Sequence, residues 1–130
     1  MKLSVLAVAL ADRSLPEALK FLKDRGVQCV EIGCGGYPGK AHCDPEILLQ
    51  DEKKLREFKD AFARAGLPIA ALSAHGNAVH PDKDAAKRYH DDFVNAVLLA
   101  EKLGVDRVVT FSGCPGSSPV DRMPNWVTCA

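Results

Sequence analysis

The feature that most constrains this chain is a regular alternation of apolar runs with amphipathic helical patterns. The apolar runs are short, as in buried strands, and they fall at residues 2–9, 28–33, 69–72 and 107–111. A glycine ends each of the three intervening helical segments just before the next strand, at Gly26, Gly66 and Gly104. This β-α-β-α-β-α-β order predicts an α/β fold with a parallel sheet and right-handed crossovers.

Helix-capping residues set the predicted helix boundaries. Ser14 is followed by Pro16 and by Glu17, which together form a capping box at the start of the first helix. A short helical turn is predicted at residues 44–49, a second helix at 51–65 and a third at 84–103. The third helix has an apolar stripe at helical spacing, formed by Tyr89, Phe93, Ala96, Val97, Ala100 and Leu103.

Two closures of such a sheet fit the pattern. A complete (β/α)8 barrel typically needs about 250 residues, and this chain has 130. The final residues, 124–130, read as an irregular tail that contains Trp126. We therefore expect residues 1–130 to form a single domain, the first four βα units of a TIM barrel, with the C-terminal half absent. A small open doubly wound sheet, as in a flavodoxin-like binding domain, is the alternative.

Composition and charge restrict the partners. The formal net charge is zero and no basic run exceeds two residues, which argues against binding of a nucleic acid backbone. The sequence lacks an apolar segment of the roughly 18 residues needed to span a membrane. Residues 3–11 imitate a short signal peptide, but the single preceding lysine and the capped helix that follows favour a buried first strand.

The five cysteines are expected to be reduced thiols, which predicts a cytoplasmic protein. A zinc site made of Cys34, His42, Cys43 and Cys114 is disfavoured, because this spacing differs from the usual Cys-x2-4-Cys pairs.

The stretch from Leu67 to His80 contains the first candidate site residues. Its apolar run breaks into Ser73, His75, Gly76 and Asn77, as expected where a buried strand opens onto a ligand site. A neutral imidazole can bind a hydroxyl or a metal ion, and Gly76 beside it is expected to leave space for a ligand. We therefore predict substrate binding by His75 and Asn77, with an outer metal ligand as the alternative role of His75.

Two further strands contribute candidates at the same edge. Glu31 interrupts an apolar strand, and because an unpaired buried carboxylate is costly, it either reaches the site or pairs with a cation such as Arg107. Ser112 follows the fourth strand in a Gly/Ser-rich loop. A phosphate cradle at Gly35, Gly36 and Gly39 is the weaker hypothesis, because the loop lacks both the P-loop and the dinucleotide spacing.

Five motifs together resemble the sugar phosphate isomerase/epimerase proteins of the xylose isomerase-like TIM barrel superfamily. They are E-I-G-C-G-G-Y-P-G (31–39), A-H-C-D-P (41–45), A-L-S-A-H-G-N (71–77), H-P-D (80–82) and V-V-T-F-S-G (108–113). The resemblance implies a divalent metal (Mn, Mg, Co or Zn) in the full-length parent and two catalytic glutamates. The metal ligands and these glutamates would all come from later strands, so the catalytic residues of this chain are unknown.

The resemblance implies that this chain supplies pocket walls for a small-molecule sugar or sugar phosphate and is inactive alone. Glu31, His75, Asn77 and Ser112 would be its substrate-binding residues. One alternative is a non-catalytic half-barrel that self-associates through its open sheet edges. Another is an endonuclease IV-like hydrolase, which is disfavoured because Phe111 and Ser112 stand where those enzymes have a second histidine.

Overall fold

A four-stranded parallel sheet organises the chain in the computed structural model, which describes residues 1–118 and 120–125. The strands are β1 (Ser4–Leu6), β2 (Cys29–Gly36), β3 (Ile69–His75) and β4 (Val108–Val109). A 3-10 helix, Ala7–Leu10, follows β1. The part of the predicted tail that contains Trp126 lies outside the described residues.

Four α-helices connect the strands, largely as the capping residues predict. They are α1 (Leu15–Lys23), α2 (Pro45–Gln50), α3 (Glu52–Ala65) and α4 (Lys83–Leu103). The capping box is present, with the Ser14 amide donating to Glu17 Oε2 at 3.0 Å. Gly66 and Gly104 end α3 and α4 in the left-handed conformation, with φ of 60° and 69°.

The strand order decides between the two predicted closures. Each strand pairs in parallel with the next one along the chain, giving the order β1-β2-β3-β4. A doubly wound sheet reverses its order at a switch point, and the described strands contain no such reversal. The fold is therefore the singly wound arrangement of a TIM barrel, and the doubly wound alternative is wrong.

The hydrophobic core lies between the sheet and the helices. Val30 and Ile32 of β2 and Leu72 of β3 are completely buried, as is Leu99 of α4. They belong to one cluster that also contains residues of α1 and α3. Because strand side chains alternate between faces, the neighbouring residues Glu31, Ala71 and Ser73 lie on the opposite face of the sheet.

Three predicted boundaries are wrong. The chain leaves β1 at Leu6 and turns into the 3-10 helix, so the first strand is shorter than residues 2–9. The second strand runs on through Gly36, because pairing with β3 includes the glycines placed in a loop. The fourth strand is only two residues long.

The predicted stripe on α4 is also partly wrong. Val97 is 44% exposed, whereas Leu99, which the stripe omitted, is fully buried. The buried seam follows Ala96, Leu99 and Ala100, at the three- and four-residue spacing that faces the sheet.

Replacing Leu72 tests the importance of this core. We expect Leu72→Ala to lower the free energy of unfolding by about 2–5 kcal/mol, because it removes buried methyl groups from the sheet and leaves a cavity. Val97→Ala, on the exposed side of α4, should change it by less than about 0.5 kcal/mol. Urea unfolding followed by circular dichroism measures both, and equal losses would contradict the placement of the core.

Candidate functional site

The candidate site forms where β2 and β3 end side by side. Gly33 pairs with Ser73 and Gly36 pairs with His75, with a register shift between Gly33 and Gly35. Beyond the strand, the Tyr37 amide donates to the His75 carbonyl oxygen at 2.9 Å. These contacts bring the residues that follow β2 against the carboxyl end of β3, which is the edge where parallel α/β sheets bind ligands.

A carboxylate, a hydroxyl and an imidazole meet at this edge. The Ser73 hydroxyl donates a hydrogen bond to Glu31 Oε1. His75 Nε2 lies 4.0 Å from the same carboxylate oxygen, which is beyond hydrogen-bond distance. This nitrogen is buried and has no hydrogen-bond partner among residues 1–118 and 120–125. Because a buried polar atom without a partner is costly, His75 Nε2 is the atom at this edge most in need of a ligand.

The geometry settles two of the alternatives left by the sequence. Glu31 contacts Ser73 and His75 on its own face of the sheet, rather than Arg107. The expectation that Gly76 leaves space for a ligand is wrong. A Cβ at Gly76 would lie 2.5 Å from a ring carbon of Tyr89, so the Tyr89 side chain fills that space.

Three aromatic side chains continue the site away from His75. The His75 ring stacks on Phe111, with centroids 4.9 Å apart and planes 20° apart. Phe111 lies 6.1 Å from Tyr37, and Tyr37 lies 5.6 Å from Tyr89, measured between ring centroids. We call Tyr37, Tyr89 and Phe111 the aromatic wall. Sequence reasoning missed Tyr37 and Tyr89, because only the fold brings α4 and the end of β2 together.

Asn77 joins two loops at the rim of the site. Its side chain is fully buried. Nδ2 donates to the Cys114 carbonyl oxygen at 2.7 Å, while Oδ1 accepts from the amides of Cys114 and Val79. These bonds tie the loop after β3 to the loop after β4, which carries the exposed Ser112. The substrate-binding roles of Asn77 and Ser112 stay predictions.

Asp92 of α4 is a third residue that sequence reasoning missed. Its carboxylate accepts from the Gly36 amide at 2.8 Å and lies 2.8 Å from Lys40 Nζ, which also pairs with Glu46 at 3.1 Å. Partial burial lowers the pKa of Lys40, but the Asp92 and Glu46 carboxylates outweigh this effect and raise the pKa above its usual range. The sequence did contain a signal for Asp92. This charged residue lies three positions after Tyr89 and four before Ala96, which is the spacing of the predicted apolar stripe.

The backbone at Gly36 and Gly39 does not favour the hypothesis that this segment binds a phosphate. The Gly36 amide is taken by a carboxylate, which would also repel an anion, and the Gly39 amide donates to the Gly36 carbonyl oxygen at 3.1 Å. The zinc hypothesis finds no support either. Burial raises the pKa of the Cys34 thiol to about 12, and also raises that of Cys43, so neither is a ready thiolate.

A metal centre is not formed by this part of the chain alone. Within residues 1–118 and 120–125, no three histidine, cysteine, aspartate or glutamate side chains are grouped as metal ligands. Glu31 and His75 provide two donors, fewer than the four to six that zinc or magnesium takes.

Two hollows on the described surface lie away from this edge. One of about 310 Å³ lies between α1 and α3 and includes Leu19 and Ala61 in its lining. Another of about 300 Å³ lies at the amino ends of β3 and β4, beside Pro68 and Val105. Ligands of parallel α/β folds bind at the opposite, carboxyl edge, which supports the site at His75.

The strand order and the position of the site define a β/α-barrel protein with its chemistry at the carboxyl edge. A sequence model of the xylose isomerase-like TIM barrel family matches residues 19–128, and the chain belongs to this family. The uncharacterized protein YfiH of Bacillus subtilis (strain 168) is 32% identical over 128 residues. These residues make up 98% of this chain and 41% of that relative, so the chain spans less than half of its length.

Solved structures share the fold. The apo form of 3-keto-D-glucoside 4-epimerase from E. coli aligns with a TM-score of 0.58 at 16% identity, over 83% of this chain and 36% of that one. A xylose isomerase-like TIM barrel/4-hydroxyphenylpyruvate dioxygenase fusion protein aligns with a TM-score of 0.59 at 21% identity, over 91% and 17%. The expected family and TIM-barrel fold are thus confirmed. None of the helices in the described residues is long and apolar enough to cross a bilayer.

Gly36, the last residue of β2, and Gly39, in the loop that follows, provide a matched test of the contact with β3. Gly36 and Gly39 both have positive φ, 63° and 69°, so alanine is strained by about 1 kcal/mol at either position. A Cβ at Gly36 would also collide with the His75 carbonyl group, whereas one at Gly39 meets nothing within 4 Å. We expect Gly36→Ala to cost a further 1–3 kcal/mol or so in urea unfolding. Equal costs would contradict the close approach of Gly36 to His75.

Proposed function

We propose that this chain is part of a sugar or sugar-phosphate isomerase or epimerase, which moves a proton next to a carbonyl group. The observation that carries the proposal is the buried, unpartnered His75 Nε2 beside the Glu31–Ser73 pair at the carboxyl edge of the sheet. Membership of the xylose isomerase-like family and the epimerase among the similar folds support it.

The residues of this chain would bind and orient the substrate. His75 Nε2 can donate to a sugar carbonyl oxygen or accept from a hydroxyl, depending on its tautomer. Glu31 accepts from a sugar hydroxyl while Ser73 holds one of its oxygens in place. Ser112 and Asn77 lie on the loops that border the same edge.

A divalent metal belongs to the same proposal, with most of its ligands outside the residues described. Such an ion would polarise the sugar carbonyl when bound. His75 is the residue of this chain we propose as a ligand or a neighbour of that ion. A cytoplasmic location is also proposed, because Cys29, Cys34 and Cys43 are buried free thiols.

Proton exchange provides the test of activity. The 130-residue chain alone should not exchange the hydrogen next to the carbonyl of a keto or aldose sugar with deuterium from D2O, as followed by proton NMR. The longest reading frame that contains this chain should do so in the presence of Mn²⁺ or Mg²⁺. Robust exchange by the short chain would contradict the assignment of the catalytic groups to other residues, and no exchange by the longer protein would contradict the proposed function.

Substitution of His75 in that longer protein tests the role of this chain. We expect His75→Ala to lower kcat/KM by about tenfold or more, since a lost hydrogen bond to substrate is worth about 1–3 kcal/mol. His90→Ala, at an exposed position on α4, is the matched control and should leave kcat/KM unchanged. An unchanged rate for His75→Ala would remove His75 from the site.

An exposed valine on the inner face of the sheet supports a second candidate, self-association of the chain as a half-barrel. Val109 is 38% exposed on this face, and β1 and β4 are the outer strands of the sheet. Two copies could pair their open edges and cover Val109. Light scattering after size exclusion should then show a dimer that Val109→Asp weakens and Ile47→Asp, on α2, does not. A strict monomer at high concentration would contradict this candidate.

A further inference from the structure

The aromatic wall keeps much of its surface accessible beside the polar atoms of the site. Tyr37 is 59% exposed and Phe111 is 42% exposed. Phe111 stacks on His75, whose Nε2 lacks a partner, and Tyr37 lies next to Phe111. Ligand sites of small molecules combine this kind of apolar surface with a few polar atoms that fix orientation.

The largely exposed Tyr37 is held in position by the residues around it. Its amide donates to the His75 carbonyl oxygen, and the preceding amide, that of Gly36, donates to Asp92 at 2.8 Å. Asp92 also holds Lys40 at 2.8 Å, on the other side of Tyr37 in the chain. The Asp92 carboxylate therefore holds the backbone amide just before Tyr37 and pairs with the side chain of a residue three positions after it.

Gly35 of β2 allows Asp92 to approach the strand. A Cβ at Gly35 would lie 2.7 Å from Asp92 Cβ, so only glycine lets α4 approach the strand closely enough for the bond to Gly36. Tyr89, one turn before Asp92 on α4, contacts Tyr37 from the same helix. Two residues of α4 therefore determine where Tyr37 lies.

We propose that Asp92 is a positioning residue that holds Tyr37 beside Phe111, so that the two rings accept the apolar face of a sugar ring. The ring carbons of many sugars carry hydrogens on a face with few hydroxyls, and burying that face against aromatic rings is favourable. The hydroxyls of the same sugar would reach His75 Nε2 and Glu31. The choice of a sugar rests on the proposed function, whereas the positioning by Asp92 rests on contacts within this chain.

The two tyrosines of the chain give a spectroscopic test of the positioning. A hydrogen bond with Tyr37 and partial burial raise the pKa of Tyr89, and the nearby charges of Arg88 and Asp92 act in opposite directions. In a tyrosinate absorbance titration, Asp92→Ala should lower this pKa as Tyr37→Phe does, and the double variant should add little. Asp92→Asn, which keeps an acceptor for the Gly36 amide, should have a smaller effect.

Asp91→Ala is the matched control, because Asp91 is the neighbouring residue and pairs with Lys87 on the exposed side of α4. It should leave the titration of Tyr89 unchanged. If Asp92→Ala folds by circular dichroism but leaves the pKa of Tyr89 unchanged, or lowers it no more than Asp92→Asn does, Asp92 does not position Tyr37.

Saturation-transfer NMR tests the ligand, with methyl β-D-galactopyranoside as the probe and glycerol as a control that has hydroxyls but no ring. Saturation should reach the hydrogens of one face of the sugar, and binding should be about threefold to tenfold weaker in Tyr37→Ala and Asp92→Ala but not in Asp91→Ala. Sugar binding that is unchanged in Tyr37→Ala, or no saturation transfer from the unsubstituted 130-residue chain to the sugar, would overturn the role of the aromatic wall. The D2O exchange test of the longer protein decides the proposed function separately.

Discussion

The close pairing of Gly36 with His75 is the contact on which the candidate site depends. It continues the β2–β3 ladder past the register shift and brings the Tyr37 amide to the His75 carbonyl oxygen. A side chain at Gly36 would collide with that carbonyl group, so the approach requires glycine. Without it, Asp92 would lose its bond to the Gly36 amide, and the aromatic wall would lose Tyr37.

Alternation along β2 and β3 separates structural from chemical residues. Val30, Ile32 and Leu72 belong to the buried core with the helices, whereas Glu31 and Ser73 meet on the other face. Cys34 shares the core side, where burial raises its pKa, which explains why its thiol does not contribute to the site. The polar residues that interrupt these apolar strands are thus explained by the face on which they lie.

Local patterns were sufficient to predict the helices and the parallel sheet, because these rest on capping, periodicity and the common direction of the strands. They left open whether Glu31 reaches the site or pairs with a cation. They were insufficient to predict the roles of Asp92 and Tyr89, which come from the packing of α4 across β2. The Gly36–Asp92 hydrogen bond, for example, joins residues 56 positions apart in the chain. The same packing explains the wrong interpretation of Gly76, since the glycine makes room for Tyr89 rather than for a ligand.

His75 and Asn77 show how two similar sequence signals acquire different physical roles. Both are polar residues just after an apolar strand, yet His75 Nε2 has no partner while the Asn77 amide group bonds both Cys114 and Val79. The hydrogen-bonding capacity of Asn77 is largely used to connect two loops, which stabilises the rim around His75. A rim fixed in this way would lower the ordering cost of the ligand binding proposed at His75.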